Sequence, residues 1–123
     1  MTAEARRVLV VDDNKDFAAV IVTALERQGY TVRVAESGLK ATTICRDFAP
    51  ETIVLDIVMP DMDGVEFINW LAKDGYEARL IIVSAHSRYT DLAEKMASIH
   101  GVTIAAVLPK PVRLPILMAA IKQ

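Results

Sequence analysis

Short apolar runs alternate with helix-period stripes along the whole chain. Val8-Leu9-Val10-Val11 is a continuous apolar run, as expected of a strand covered on both faces. Asn14 can cap a helix whose stripe is Phe17, Val20, Ile21, Ala24 and Leu25 and which stops at Gly29. Thr31 to Ala35 reads as a second strand. Ser37 can cap a second helix with Ala41, Ile44, Cys45 and Phe48 on one face, stopped by Pro50. Thr52 to Asp56 is a third strand, and the turn-rich stretch Met59 to Gly64 leads into a helix over Val65 to Lys73. Leu80 to Ser84 is a fourth strand. The apolar residues Tyr89, Leu92, Ala93 and Met96 mark a fourth helix that closes near Gly101. Val102 to Leu108 is a fifth strand and Pro115 to Lys122 a fifth helix.

Five successive β-α units with short connections predict an α/β domain: parallel strands, right-handed crossovers and helices on both faces. Such sheets carry their sites at the carboxyl ends of the strands, where the strand order reverses.

Composition narrows the class. The 123 residues are 53% hydrophobic and 24% charged, enough for one core and too few for two ordinary domains. A net charge of −2 gives no electrostatic drive toward nucleic acid or anionic lipid, so neither direct DNA binding nor membrane binding is expected. The single cysteine, Cys45, excludes an internal disulfide framework and fits a reducing compartment. No apolar run approaches the ~18 residues of a membrane span, and the residues before Val8 lack the apolar core of a signal peptide. A cytoplasmic domain is expected.

The strand ends carry the candidate chemistry. Strand one ends in Asp12-Asp13, strand three in Asp56, strand four in Ser84, and strand five is followed by Lys110-Pro111. Three clustered carboxylates repel one another unless a cation intervenes. All-oxygen donors suit a hard cation, and Mg²⁺ commonly uses one or two carboxylates plus a phosphate oxygen. Lys110 supplies a point charge and Ser84 a hydroxyl donor for a phosphoryl group. A carboxylate can itself attack phosphorus and form an aspartyl phosphate. Asp56, on the central strand with the acid pair beside it, is the natural nucleophile. Asp13 and Asp56 would hold the metal directly, with Asp12 acting largely through a bound water. Taken singly, each residue has a plain structural reading: helix capping for Asp12-Asp13, loop capping for Asp56, a satisfied strand-end hydroxyl for Ser84, a surface lysine for Lys110. The specificity lies in the set and its order.

Four segments carry a resemblance: Val8 to Asp13, Leu55-Asp56-Ile57-Val58-Met59-Pro60-Asp61-Met62-Asp63-Gly64, Val83-Ser84-Ala85, and Lys110-Pro111. Together they resemble the response-regulator receiver domain, the phospho-accepting module of two-component signalling, over essentially the whole chain. The resemblance implies one receiver domain over residues 1–123, as a single-domain regulator or as the N-terminal module of a longer protein, with flavodoxin-like strand order 2-1-3-4-5. It implies that a histidine kinase or phosphotransfer protein phosphorylates Asp56, that Lys110 and Ser84 serve the phosphoryl group, and that the backbone carbonyl of Val58 joins Asp12, Asp13 and Asp56 around Mg²⁺. It implies slow self-dephosphorylation rather than an enzyme's turnover, a small residue at Ala85 that leaves room for the phosphoryl group, and a cis peptide at Lys110-Pro111.

Two features depart from the family pattern. An aromatic residue usually lies three positions before the lysine, and here Val107 stands there, read as surface-facing near the rim. The Ser84 half of the switch is retained. The stretch from Ser84 to Val107 is longer than usual, so the fourth helix or its exit loop is expected to be extended. His86, two positions after Ser84, is either an exposed loop residue or a group controlling water access. Cys45, Trp70, Met59 and Met62 read as packing.

Two other classes use similar parts. A haloacid-dehalogenase-like phosphatase needs an Asp-x-Asp nucleophile on strand one, where this chain has adjacent aspartates. A flavodoxin-like flavin carrier needs a hydroxyl-rich phosphate loop there, and Asp12-Asp13 would repel the phosphate. A receiver acting only as a docking module is a third reading. In the fifth helix, Leu114, Leu117, Met118 and Ile121 form a stripe that should face the sheet, yet Ile116, Ala119 and Ala120 opposite are apolar too. With an uncharged edge strand beside it, the side formed by the fourth helix, fifth strand and fifth helix is expected to be covered by a second copy or an output domain.

Overall fold

The computed structural model describes residues 6–59, 62–85 and 87–123. Its elements are β1 (Arg7–Val11), α1 (Lys15–Arg27), β2 (Thr31–Ala35), α2 (Gly38–Phe48), β3 (Thr52–Leu55), α3 (Gly64–Asp74), β4 (Arg79–Ser84), α4 (Ser87–His100), β5 (Ile104–Pro109) and α5 (Leu114–Lys122). The strands form one sheet in the order β2-β1-β3-β4-β5, and every neighbouring pair is parallel. The predicted fold is therefore the observed one.

Alternation of side chains along β1 explains the two-sided core. Leu9 and Val11 face a layer with Ile53, Leu55, Leu80 and Ile82, closed by Phe67, Ile68 and Leu71 of α3 and by Ala93 and Ala97 of α4. Val8 and Val10 face the other layer, with Val54, Ile81 and Val83 closed by Ile21 and Leu25 of α1 and by Leu117 and Ile121 of α5. Burying each large aliphatic side chain contributes about 1.5–3 kcal/mol.

Local signals set the helix starts. The Asn14 side chain accepts from the Phe17 N–H, and Ser37 accepts from the Lys40 N–H. Asp63 and Glu66 form a reciprocal capping box at the start of α3. No helix among the described residues is long and apolar enough to cross a membrane.

Four expectations need correction. Val20 is not on the buried stripe of α1; it is 55% exposed, and Ala18 takes the inward position with Ile21 and Leu25. In α4, Thr90, Ala93 and Ala97 face inward while Tyr89 and Leu92 are about half exposed. β5 begins at Ile104 rather than Val102, because the Val102 N–H is still engaged by the Ala97 carbonyl in closing α4. Val107 does not face solvent; it is half-buried and packs against the α2–α3–α4 side of the core.

Candidate functional site

The site forms where β1 and β3 lie side by side at the centre of the sheet. The Asp56 N–H donates to the Val11 carbonyl at 2.9 Å, and the Asp12 N–H donates to the Ala35 carbonyl at 3.0 Å. The ladders thus continue one residue past the strands and fix both aspartates at the carboxyl rim. Ser84 ends β4, and its carbonyl accepts from the Lys110 N–H at 3.0 Å, which ties the lysine to the same rim. The peptide bond between Lys110 and Pro111 is cis.

The three carboxylates converge: one oxygen from each of Asp12, Asp13 and Asp56 lies within 4.8 Å of the others. Asp12 is buried, Asp13 exposed, and Asp56 8% exposed. Asp12 is held from two sides. Its Oδ1 accepts from the Asn14 N–H at 2.8 Å, and its Oδ2 lies 2.9 Å from Lys110 Nζ. Lys110 Nζ also lies 3.7 Å from Asp56 Oδ2 and 4.7 Å from the centre of the Phe17 ring. An ammonium over an aromatic face gains electrostatic attraction from the ring quadrupole.

Burial pushes the Asp56 carboxyl up to about 6, and the neighbouring Asp12 charge adds to the rise. Lys110 and a hydrogen bond from the Val58 backbone pull it back, while Asp13 raises it further. An oxygen-only donor set with excess negative charge and one exposed carboxylate fits a hard divalent cation. Ala85 is exposed beside Ser84, leaving the approach to the rim open.

Two glycines shape the loop that follows β3. The Gly64 N–H donates to the Ile57 carbonyl at 2.7 Å, and a Cβ on Gly64 would stand 2.6 Å from the Ile57 Cα. The Gly38 N–H donates to the Met62 carbonyl, and a Cβ there would strike the same backbone oxygen. Gly64 lies in the segment singled out from the sequence. Gly38 was missed, since a glycine opening a helix carries no local sign of a distant loop packed against it. Phe17 was read only as core, although its ring underlies the lysine.

Beside Ser84 lies a cavity of about 250 Å³, lined in part by Thr90, Val107, Leu108 and Pro109. A larger cleft of about 740 Å³ opens at the other end of the sheet, near Glu51, Arg79 and Thr103, and includes none of the rim aspartates. His86, Pro60 and Asp61 lie outside the described residues. Cys45 is buried, and burial raises its thiol to about 12, with Asp74 adding to the rise. Trp70 stacks on Phe67 at 5.8 Å between ring centres.

These features, strand order and rim acids alike, belong to one known class, and the sequence matches it: the chain belongs to the response regulator receiver domain family, whose profile matches residues 8–122. It is a receiver domain of the two-component response-regulator type, a family of regulatory phospho-acceptors that bind Mg²⁺ at an acidic pocket. A response regulator receiver protein of Anaeromyxobacter sp. (strain Fw109-5) is 36% identical over 110 residues, covering 89% of this chain and 44% of that protein. The chain spans about half the length of the curated relatives it matches. The Francisella response regulator 1452 receiver domain superposes with a TM-score of 0.82 at 28% identity, covering 95% of this chain and 93% of that one. The response regulator TrrA from Thermotoga maritima, solved in complex with Mg²⁺ and BeF, gives 0.79 at 26% identity over 95% and 96% of the two chains.

Proposed function

We propose that this chain takes a phosphoryl group onto Asp56 from a histidine kinase or phosphotransfer protein and converts that event into a surface change. The observation that carries the reading is the Asp12–Asp13–Asp56 cluster with Lys110 Nζ 2.9 Å from Asp12 and 3.7 Å from Asp56. One Asp56 oxygen attacks phosphorus, an O–P bond forms, and the N–P bond of the donor breaks with its electron pair left on the imidazole nitrogen. Lys110 is close enough to follow the growing charge, moving from Asp56 to a phosphoryl oxygen while keeping Asp12. Ser84, at the end of β4, offers its hydroxyl to another phosphoryl oxygen.

Asp12, Asp13, Asp56 and the Val58 carbonyl would hold Mg²⁺. Asp12 already spends both oxygens on Asn14 and Lys110, so Asp13 and Asp56 are the direct carboxylate ligands and Asp12 acts through a bound water. The cation supplies charge neutralisation to the transferring group. Hydrolysis of the acyl phosphate ends the signal slowly, so the domain is a regulator and not a turnover enzyme.

On this reading residues 1–123 are one cytoplasmic receiver module, acting without direct contact to nucleic acid or membrane. Its output runs through the α4–β5–α5 side. β5 is an edge strand, and Ile116 on α5 is 50% exposed. A second copy or an output domain covers that side. Acetyl phosphate with Mg²⁺ tests the reaction on a phosphate-affinity gel. The wild type should shift to one slower band, lost in Asp56→Asn and on chelation; a shift that persists in Asp56→Asn would overturn the assignment.

A further inference from the structure

Helix α4 is packed the wrong way round for its own sequence. Its inward residues, Thr90, Ala93 and Ala97, are all small. Its large apolar residues point away: Tyr89 is 49% exposed, Leu92 47% and Ile99 75%, with Met96 half-buried between them. Burying Leu92 and Ile99 in place of alanines would gain apolar area, so this arrangement leaves favourable burial unused within the chain.

The spacing of the exposed set is informative. Tyr89, Leu92, Met96 and Ile99 follow steps of three, four and three residues, the a/d pattern of a helix that packs along another helix. At about 100° per residue they form one stripe. The stripe is not on the flank that faces β5. That flank carries Thr90, Asp91 and Glu94, which line the cavity beside Val107. The stripe lies on the other flank, the one that carries His100, which shares the cleft near Leu71 and Ala72 of α3.

Charge then selects the occupant. The positions bordering the stripe on its solvent side are Arg88 and Lys95, both exposed and neither in an ion pair among the described residues. His100 borders the other side. A second copy of α4 would offer Arg88 and Lys95 no acid from its own flanking positions, which are Arg88, Lys95, Ala93 and His100, since Asp91 and Glu94 lie on the flank toward β5. A helix with acidic flanks would match them.

We propose that the Tyr89–Leu92–Met96–Ile99 face of α4 binds a partner's amphipathic helix, one with an apolar a/d seam flanked by glutamate or aspartate. This surface is separate from the α4–β5–α5 side and stands independently of the phosphoryl chemistry. Association should be steered by Arg88 and Lys95 and weaken with salt.

Two synthetic three-heptad peptides test it, both with leucine at a and d, one with glutamate and one with lysine at the flanking positions. Titration into the isotope-labelled chain, followed by NMR, should perturb Leu92, Met96 and Ile99 with the glutamate peptide. The lysine peptide should bind roughly tenfold or more weakly. Leu92→Glu and Ile99→Glu should abolish binding while keeping the melting temperature, and Arg88→Glu with Lys95→Glu should reverse the peptide preference. Equal binding of the two peptides, no binding of either, shifts confined to β5 and α5, or self-association of the wild type that Ile99→Glu removes would each overturn the proposal.

Discussion

Lys110 Nζ stands 2.9 Å from Asp12 Oδ2, a contact that closes 98 residues of chain and joins the loop after β5 to the end of β1. Asp12 is 2% exposed, so its charge has lost nearly all contact with bulk water. The lysine and the Asn14 N–H replace that hydration. A buried charge stripped of its partner is strongly destabilising, more than the pair itself is stabilising.

Lys110→Ala should therefore destabilise the metal-free domain by about 2–4 kcal/mol at neutral pH. Urea unfolding with a chelator present measures this, and Mg²⁺ should recover much of the loss by binding the folded state. Asp12→Asn combined with Lys110→Ala should be less destabilised than Lys110→Ala alone, since no uncompensated charge remains.

The pH dependence of the metal-free domain carries a sign. The Asp56 carboxyl sits at about 6 when folded, against an ordinary value of 3.8. Well below pH 3.8 it is protonated in both states and imposes no cost. Between about pH 4 and 6 the unfolded chain has released this proton while the folded chain still holds it, so stability falls by on the order of 2–3 kcal/mol and levels off above 6. Thermal melts in chelator from pH 4 to 8 should show that fall between about 4 and 6 in the wild type and little further change from this group above it, and Asp56→Asn should remove the fall. A wild type that gains stability over this interval at the same rate as Asp56→Asn would contradict the burial argument.

On the proposed function, Ser84 and Val107 would divide the response. Ser84 is 5% exposed, and both residues line the cavity of about 250 Å³ between α4 and β5. Ser84→Ala should still accept a phosphoryl group yet lose most of the NMR shifts that beryllofluoride induces. Val107→Tyr should be tolerated because the larger ring can enter the adjoining cavity, with a melting temperature within a few degrees of wild type. A full set of beryllofluoride shifts in Ser84→Ala would remove the hydroxyl from the switch.

Gly64 packs against the turn that follows Asp56. A Cβ there would stand 2.6 Å from the Ile57 Cα and 3.0 Å from the Asp56 carbonyl oxygen. Both are backbone atoms of the loop that presents Asp56 and Val58. Gly64→Ala should destabilise the fold by about 1–3 kcal/mol and slow phosphorylation. Gly75→Ala, where a Cβ meets nothing within 4 Å, isolates the cost of backbone strain alone, since Gly75 has φ +68°.

The site was legible because each acid ends a strand whose apolar run is unmistakable. Val8 to Val11 pair with Thr52 to Leu55, and the aspartates that follow both runs meet at the rim. The face of α4 was not legible. Tyr89, Leu92, Ala93 and Met96 repeat with helical period, but so do Thr90, Ala93 and Ala97, and periodicity alone does not choose between the two sets. Thr90, Ala93 and Ala97 are the residues buried while Tyr89 and Leu92 stay about half exposed, a tertiary outcome with no local signature. Val107 was misplaced for a similar reason. A valine on an edge strand reads as outward until α4 is seen to cover it. Val20 misled in another way, being an apolar residue on a helix whose inward position is held by Ala18.

The most direct test of the central claim is chemical mapping of the acceptor. The chain is incubated with phosphoramidate and Mg²⁺, quenched with borohydride to reduce the acyl phosphate to an alcohol, digested and sequenced by tandem mass spectrometry. A single reduced residue at position 56, absent without Mg²⁺ and absent in Asp56→Asn, is the predicted result. Modification at Asp12 or Asp13, or a phosphoryl group that survives borohydride on a serine or histidine, would contradict it.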